Sequence, residues 1–175
     1  MFATIYVPNF YLQAALRHHP QVRALPVALI NAEDPKAIII QLNEIAEQAG
    51  VRAGMTPSQG LARCLQLLVK ARNPQQEQQM QEVLVEAGFS LAPYVESTAP
   101  GVCTVEFTKP RDIENKVAQA VDQLLRCDVV SRAGIAAAPD ASLLAAHLAS
   151  PILKIDDPKT FLASLPIETL SILTY

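Results

Sequence analysis

The alternation of short apolar strands with amphipathic helices limits the folds open to this chain more than any other feature. Aromatic and β-branched residues at 2–7 predict an opening strand, which Pro8 stops. Beyond a block of mixed elements at 10–72, the predicted order is helix, strand, strand, helix, strand, helix and strand. This order predicts an α+β fold with a ferredoxin-like sheet and helices on one face.

The block at 10–72 has a smaller α/β pattern of its own. Asn9 is placed to cap its first helix, and Gly50 takes the position that usually ends a helix. Breaker residues at 31–35 favour a hairpin between its two strands. The spacing of apolar residues predicts helices at 10–18 and 43–49 and strands at 26–30 and 37–40. A further helix would carry four residues on one face, namely Leu61, Cys64, Leu65 and Leu68.

The rest of the chain supplies the remaining strands and helices. Asn73 and Pro74 form a helix start, as N-cap and first helical residue, and Gly88 is expected to close that helix. Lys109 and Pro110 are expected to begin a second long helix. Its apolar stripe is Ile113, Val117, Val121, Leu124 and Leu125. Strands are predicted at 91–96, 102–107, 129–136 and 152–155, and an alanine-rich helix at 139–149.

Composition and charge exclude several classes of protein. The chain has 175 residues, is 50% hydrophobic and 18% charged, and carries a formal net charge of −3. A strongly basic nucleic-acid domain, a disordered chain and a membrane span of ~18 apolar residues are all inconsistent with this sequence. The opening residues lack the basic region and cleavage site of a signal peptide. Three widely spaced cysteines in apolar surroundings are typical of a cytosolic protein with reduced thiols.

Several stretches of the sequence resemble the Y-family, or translesion, DNA polymerases. Residues 5–16, followed by 26–28, are similar to the family's opening strand, first fingers helix and next strand. The most specific match is Ala-Gly-Val-Arg-Ala-Gly-Met at 49–55, which is similar to the family's fingers loop. Residues 94–98 take the place of the hairpin that carries catalytic acids, and Ala-Gly-Ile-Ala at 133–136 resembles a later family strand.

This resemblance implies a polymerase-like domain organisation. Residues 1–9 and about 73–160 would form the palm, and the inserted block at 10–72 would form the fingers as a small α/β insertion. Residues 161–175 would lead into a thumb, and their apolar side chains, among them Leu170, have little chain left to cover them. We therefore expect the sequence to be part of a longer protein.

The resemblance also identifies the positions at which the family holds its metal ions. Phosphoryl transfer there uses two Mg²⁺, held by one carboxylate after the first strand and by an Asp-Glu pair in the palm hairpin. These positions carry Tyr6, Ala99 and Pro100 in this chain. A phenol, a methyl group and a pyrrolidine ring cannot hold Mg²⁺. The expectation is a protein that resembles a polymerase but is not an enzyme and has no cofactor.

An alternative keeps the polymerase active, with its metal ligands moved elsewhere in the palm. Glu96 and Glu106 are the acids of the hairpin, and they share a strand face only if the turn is regular. Asp128 is a third acid that this alternative could recruit. Surface charge is the other interpretation of the two glutamates. Mg²⁺ would be a cofactor under this alternative alone.

The positions at which the family grips the triphosphate are also changed. Its Tyr and Arg of the fingers helix correspond to Glu44 and Glu47, and its Lys at the end of the alanine-rich helix corresponds to Ser150. Two carboxylates would repel a triphosphate. The aromatic pair Phe10-Tyr11 is retained, and its second member is the family's steric gate. Without a nucleotide site, a role in the core fits this pair better.

Basic residues are concentrated in the later part of the inserted block. They could touch DNA weakly, as the family's fingers do, or form a solvated face. The residues are Arg52, Arg63, Lys70 and Arg72.

Within the family, this pattern is most similar to the ImuB subgroup, the catalytically inert members of the bacterial mutasome. The resemblance implies a scaffold for SOS mutagenesis and translesion synthesis after DNA damage. Its partners would be a RecA-like protein, an error-prone polymerase and, through a region outside this chain, the sliding clamp. The implied location is the cytoplasm, on the nucleoid when DNA is bound, with no membrane partner. Two other functions stay open: the active polymerase described above, and an unrelated ferredoxin-like binding module.

Overall fold

A computed structural model of the chain describes residues 1–31, 37–109 and 111–169. The chain divides into two compact units, a smaller one at 9–80 and a larger one formed by 1–8 and 81–175. The assignment of 1–9 and 73–160 as palm and of 10–72 as fingers stays a prediction. The turn predicted after Asn31, the helix start at Pro110 and the apolar Leu170 fall wholly or partly outside the described residues.

Strands and helices are interspersed along the described chain. The strands are β1 (Phe2–Tyr6), β2 (Val27–Ile30), β3 (Ile39–Leu42), β4 (Leu68–Ala71), β5 (Tyr94–Ala99), β6 (Val102–Glu106), β7 (Arg132–Ala136) and β8 (Ile152–Lys154). The helices are α1 (Phe10–Leu16), α2 (Glu44–Gln48), α3 (Pro57–Arg63), α4 (Pro74–Leu91), α5 (Ile113–Arg126), α6 (Pro139–Leu148) and α7 (Pro158–Ala163). A short 3₁₀ turn spans Pro20–Val22.

The larger unit is built on a mixed sheet with the order β5-β6-β1-β7-β8. Strand β1 is antiparallel to both of its neighbours, β6 and β7, while β8 runs parallel to β7. Ala3 and Ile5 of the central strand are fully buried, as the residues between two paired neighbours should be. The predicted α+β class, with a mixed sheet ordered as in a ferredoxin-like fold, is confirmed.

Helices cover both faces of this sheet. A Cβ atom on Gly88 of α4 would lie 2.7 Å from the Cys103 sulfur, so α4 packs against the face that carries Cys103. A Cβ atom on Gly134 would lie 2.1 Å from the carbonyl oxygen of Ser142, so α6 packs against Gly134. Gly134 pairs with Thr4 and Thr4 pairs with Thr104, the neighbour of Cys103. Because successive side chains of a strand alternate, α6 adds a helix on the second face. The prediction of helices on one face was therefore wrong, since the chain returns over the opposite face after β7.

The end of α4 differs from the prediction at Gly88. The helix continues through this glycine to Leu91. A larger residue there would meet the side chains of Cys103 and Val95, so close packing on the sheet requires a glycine inside the helix. Packing thus explains a glycine that the sequence alone presents as a helix stop.

The smaller unit has a sheet of its own, with the order β3-β2-β4. The predicted hairpin is confirmed, since β2 and β3 are antiparallel, with a register shift between Leu29 and Ile30. The prediction of a helical face that includes Leu65 and Leu68 was wrong. The helix ends at Arg63, Leu65 is 91% exposed, and Leu68 begins β4, which pairs in parallel with β2. Pairing with β2 decides the conformation of this segment.

The predictions of how the helices begin were partly correct. The Asn73 side chain accepts hydrogen bonds from the backbone N–H groups of Gln75 and Gln76, which confirms it as the cap of α4. Asn9 has a left-handed backbone (φ 48°), and its side chain makes no capping hydrogen bond to a described residue, so that prediction was wrong. Helix α5 begins at Ile113, later than predicted.

The predicted stripe of α5 needs one correction. Ile113, Val117, Val121 and Leu124 are buried, as expected, but Leu125 is 57% exposed. A helix turns by about 100° per residue, so Leu125 lies on the rim of a stripe that is centred on its neighbour.

Candidate functional site

Tyr6, Ala99 and Pro100, the positions that resemble the family's metal ligands, lie together in the larger unit. Tyr6 is the last residue of β1 and pairs with Val102 of β6, and Val102 pairs with Ala99 on its other side. The backbone N–H of Val7 donates to the carbonyl of Gly101 over 2.8 Å. The end of β1 and the turn that contains Pro100 are therefore neighbours, although they are far apart in the sequence.

The turn between β5 and β6 is held by a side chain that the sequence did not single out. The Gln81 carbonyl oxygen accepts from the backbone N–H of Gly101 at 2.8 Å, and its amide nitrogen donates to the Ser97 hydroxyl at 2.8 Å. Gly101 has a φ of 77°, which favours glycine. Gln81 stands among other glutamines and glutamates at 75–82, so its role could not be recognised from the sequence.

Tyr6, at the position that the resemblance assigns to the first metal ligand, has an aromatic ring that is stacked on another ring. The rings of Tyr6 and His147 have centroids 3.8 Å apart and planes inclined by 23°. Burial raises the pKa of Tyr6 above its usual value, against a smaller opposite effect of Arg132. Burial, assisted by Arg132, lowers the pKa of His147. At neutral pH, both rings are therefore uncharged, and the charge beside them is the positive one of Arg132.

Arg132 is tied to the same place by geometry. It begins β7, pairs with Tyr6 across the sheet, and donates from Nη1 to the backbone carbonyl of His147 over 3.3 Å. The sequence did not indicate this cluster of Tyr6, His147 and Arg132, since its members come from β1, α6 and β7. Only their convergence at one end of the sheet makes it visible.

These residues do not fit the pair of Mg²⁺ ions that the family resemblance implies. Mg²⁺ requires oxygen ligands, mainly carboxylates. Tyr6 offers a phenol whose pKa is raised, Ala99 and Pro100 offer no side-chain donor, and Arg132 would repel a cation. In the described part of the chain, no group of three or more His, Cys, Asp or Glu residues is arranged to hold a metal ion.

The acids named by the alternative lie elsewhere in the larger unit. Glu96 pairs with Thr104, and Glu106 pairs with Tyr94 and Phe2, so both glutamates share one face of the sheet despite an irregular register before the turn. Glu106 is four residues along β6 from Val102, or about 13 Å at 3.3 Å per residue. It therefore stands at the opposite end of the strand from Tyr6.

Asp128 lies at the end of α5. Its backbone is left-handed (φ 64°), and its N–H donates to the carbonyl of Leu125 at 3.0 Å. Asparagine and aspartate tolerate this conformation better than most residues, so the residue has a structural role in ending the helix.

The two glutamates at the predicted triphosphate positions lie in the smaller unit, in the first turn of α2. Asn43 caps this turn, accepting from the backbone N–H of Ala46 at 3.1 Å. Carboxylates near a helix N-terminus are stabilised by its unpaired N–H groups, which gives Glu44 and Glu47 a structural reason to be acidic. Ser150, the remaining position, is exposed in the larger unit after α6.

The two rings of the Phe10-Tyr11 pair differ in burial, since Tyr11 is only half-buried. Phe10 is buried, and its ring meets that of Tyr11 edge to face at 5.5 Å. The guanidinium carbon of Arg72 lies 3.8 Å from the centroid of the Tyr11 ring. Glu77 binds the same guanidinium through two hydrogen bonds of 2.8 and 2.6 Å. Arg72, Tyr11 and Glu77 thus form one polar and aromatic cluster.

The basic residues of the inserted block do not share one environment. Arg72 belongs to the cluster just described, and Arg52 donates to the backbone carbonyls of Glu47 and Val51 at 2.6 and 2.8 Å, where α2 ends. Arg63 is exposed in the last turn of α3, and Lys70 is half-buried in β4. Structural contacts thus account for Arg52 and Arg72, and a role in DNA binding stays a prediction for all four.

Known structures share this fold. An insertion ternary complex of Dbh DNA polymerase matches with a TM-score of 0.82 at 15% identity, over 96% of this chain and 53% of that one. A post-insertion binary complex of Dbh DNA polymerase matches with a TM-score of 0.81 at 18% identity, and DinB from Sulfolobus solfataricus with 0.79 at 15% identity. Both of these matches cover 96% of this chain and 52% of the other. The chain therefore spans about half the length of the structures that it matches.

The sequence itself matches the model of the impB/mucB/samB family over residues 5–148. No curated protein matches it. Among the described residues, no helix has the length and apolar character needed to cross a bilayer. The family match overturns the hypothesis of an unrelated ferredoxin-like module. The chain belongs to the impB/mucB/samB family and has the fold of the Y-family DNA polymerase domains that it matches.

Proposed function

We propose that this chain is the palm and fingers part of a non-catalytic Y-family homologue that acts as a scaffold in translesion DNA synthesis. The observation that carries the proposal is the stack of Tyr6 on His147 at the end of β1, beside the turn with Ala99 and Pro100. A polymerase of this family would need three carboxylates at this place. The chain has two uncharged rings there, with a guanidinium beside them.

The positions expected to grip a triphosphate support the same proposal. Glu44 and Glu47 are exposed in the first turn of α2, and a triphosphate brought near them would meet two negative charges. Arg72 carries the opposite charge, but Glu77 already binds it and it is stacked on Tyr11. Changes at both the metal positions and the triphosphate positions are expected of a fold that no longer performs phosphoryl transfer.

The partners of the scaffold follow from the resemblance to the ImuB subgroup. We infer that the longer protein brings together a RecA-like protein, an error-prone polymerase and the sliding clamp during SOS mutagenesis. Its place would be in the cytoplasm, on the nucleoid when the assembly is bound to DNA. In this proposal the chain needs no Mg²⁺ of its own, because the partner polymerase supplies the chemistry.

Primer extension with the full-length protein tests the proposal. A primed template and all four dNTPs would be incubated with Mg²⁺ or Mn²⁺, with an active Y-family polymerase as positive control. Calorimetry would measure dNTP binding to the same preparation. We expect neither extension nor metal-dependent dNTP binding. Extension at a rate within about tenfold of the control would overturn the proposal.

A second candidate function, an active polymerase with relocated metal ligands, is favoured by one observation. Glu96 and Glu106 line the same groove and lie on one face of the sheet. If extension is seen, Glu96→Gln and Glu106→Gln should abolish it under this hypothesis. The exposed Glu86 on α4 provides the matched control, Glu86→Gln, which should retain full activity.

A further inference from the structure

The larger unit has an open groove at the start of β5, which we call the β5 groove. It has a volume of about 380 Å³. Its principal lining residues are Phe2, Phe89, Tyr94, Glu96, Glu106 and Pro139. It is separate from the cluster of Tyr6 and His147, because Phe2 and Glu106 stand at the other end of their strands.

The aromatic residues of the β5 groove are unusually exposed for their size. Phe89 is 57% exposed and Tyr94 is 60% exposed. Leaving two large rings exposed to water loses the free energy that their burial would contribute, about 25 cal/mol for each Å². Exposed apolar patches with a polar rim are typical of surfaces that bind another molecule.

The groove adjoins an edge of the sheet that could accept another strand. Strand β5 is the first in the order β5-β6-β1-β7-β8, so its outer side has no partner strand among the described residues. An edge strand presents a row of backbone N–H and C=O groups to solvent. An extended segment can pair with such an edge and place alternate side chains on the face that holds the groove.

The charge of the groove selects the kind of segment that would bind. Both ionisable carboxylates of the lining, Glu96 and Glu106, are exposed, and no Lys or Arg is among the described residues that line it. Nucleic-acid phosphates would be repelled by this charge. Arg or Lys side chains would be attracted, and an Arg could also stack on Tyr94 or Phe89.

We propose that the β5 groove and the outer edge of β5 bind an extended segment of a partner protein in which Arg or Lys residues alternate with apolar residues. The segment adds a strand beside β5. Its basic side chains lie on the face that carries Tyr94, Glu96 and Glu106, where they pair with the two carboxylates and stack on the Tyr94 ring. Its apolar side chains lie on the opposite face, next to Val95, which packs against α4. This inference deepens the proposed scaffold function by naming a docking surface. It rests on that function only in taking the partner to be a protein of the assembly.

Fluorescence anisotropy with the full-length protein tests the inference. The probes are a fluorescein-labelled peptide of four Arg-Val repeats, its Glu-Val counterpart and a labelled 12-nucleotide single strand. We expect saturable binding of the Arg-Val peptide, with a dissociation constant below about 1 mM, and at least tenfold weaker binding of the Glu-Val peptide. Blocking alternate peptide N–H groups by N-methylation should weaken binding at least fivefold, because the edge pairing is lost.

Charge-reversal variants test whether the peptide binds at the β5 groove or is attracted only by the overall negative charge of the protein. Glu96→Lys with Glu106→Lys should weaken binding of the Arg-Val peptide at least tenfold. The control, Glu86→Lys with Asp122→Lys, reverses two exposed charges on α4 and α5 and should change binding by less than twofold. Tyr94→Asn, a neutral change at an exposed position, should also weaken binding.

Three results would overturn the inference. They are equal weakening by the control pair, equal binding of the two peptides, and displacement of the Arg-Val peptide by the oligonucleotide. Primer extension is measured separately. Extension would refute the proposed scaffold function, while peptide binding would still test whether the β5 groove binds an extended segment. Circular dichroism of each variant confirms that the change in binding is not a loss of folding.

Discussion

The Tyr6 and His147 rings lie parallel within 23°, with their centroids 3.8 Å apart, where β1 ends and α6 passes over the sheet. Each ring supplies an uncharged neighbour for the other, and burial keeps both neutral by raising the pKa of Tyr6 and lowering that of His147. The stack explains how the end of β1 accepts a large, half-buried aromatic ring.

The lowered pKa of His147 predicts a pH dependence of stability. The unfolded chain takes up a proton near pH 6.5, whereas the folded chain does so only at lower pH. The contribution of His147 is therefore fully present above about pH 6.5 and is lost as pH falls through the folded pKa. His147→Phe keeps a ring but cannot titrate, so it should lose less stability than the wild type between pH 7.5 and pH 5.

Urea unfolding at these two pH values measures that difference. His18→Gln, which removes an exposed histidine, is the control for the loss of an imidazole. An identical loss of stability in wild type and His147→Phe would show that the stacked ring does not contribute to the pH dependence.

Gly134 and Gly50 should respond to alanine for different reasons. At Gly134, the added Cβ would lie 2.1 Å from the Ser142 carbonyl and 2.3 Å from the backbone nitrogen of Ala146, so α6 must move. We expect Gly134→Ala to cost about 3 kcal/mol or more of unfolding free energy. At Gly50, no described atom beyond its chain neighbours lies within 4 Å of the added Cβ. The alanine variant should therefore lose only the unfolding free energy that the left-handed backbone (φ 87°) costs, about 1–2 kcal/mol. Thermal or urea unfolding that ranks the two variants the other way would contradict this account.

The pair of Arg72 and Glu77 should show measurable coupling. Two short hydrogen bonds join the guanidinium to the carboxylate, and the Glu77 side chain is only 11% exposed, so solvent screens the pair less than a surface ion pair. A double-mutant cycle of Arg72→Ala and Glu77→Ala should give a coupling of about 1 kcal/mol. Arg72→Lys, which keeps the charge but not the paired geometry, should recover less than half of it. A coupling within error of zero would contradict the arrangement.

The cysteines should differ sharply in their reactivity toward a thiol reagent. Burial raises the pKa of Cys103 to about 11, so only about one molecule in a thousand carries its thiolate at pH 8. Cys127 is exposed. With 5,5′-dithiobis(2-nitrobenzoate), Cys127 should react within minutes, and Cys103 only in denaturant. Cys127→Ser should remove the fast phase, and a fast phase that persists in a Cys64→Ser, Cys127→Ser variant would refute the burial of Cys103.

Local interactions explain the parts of the fold that the sequence predicts well. Asn73 caps α4 because its side chain reaches N–H groups two and three residues away, and Gly50 ends α2 because only a glycine adopts its backbone angle easily. The aromatic and β-branched residues at 2–7 predict β1 in the same way. The residues Tyr6, Ala99 and Pro100 can likewise be read from the sequence, but their assignment to metal-ligand positions stays a prediction from the resemblance.

The tertiary structure alone decided what depends on distant partners. Leu68–Ala71 is a strand because β2 lies beside it, and α4 continues through Gly88 because the sheet leaves no room for a side chain there. In the same way, His147, Arg132 and Gln81 belong to the site only because the order of the strands brings α6, β7 and α4 to one end of β1. The sequence by itself determined the cap of α4, the end of α2 and the strand β1, because these depend on a residue and its near neighbours. Packing between elements determined what surrounds Tyr6, because no local pattern records which ring will stack on it.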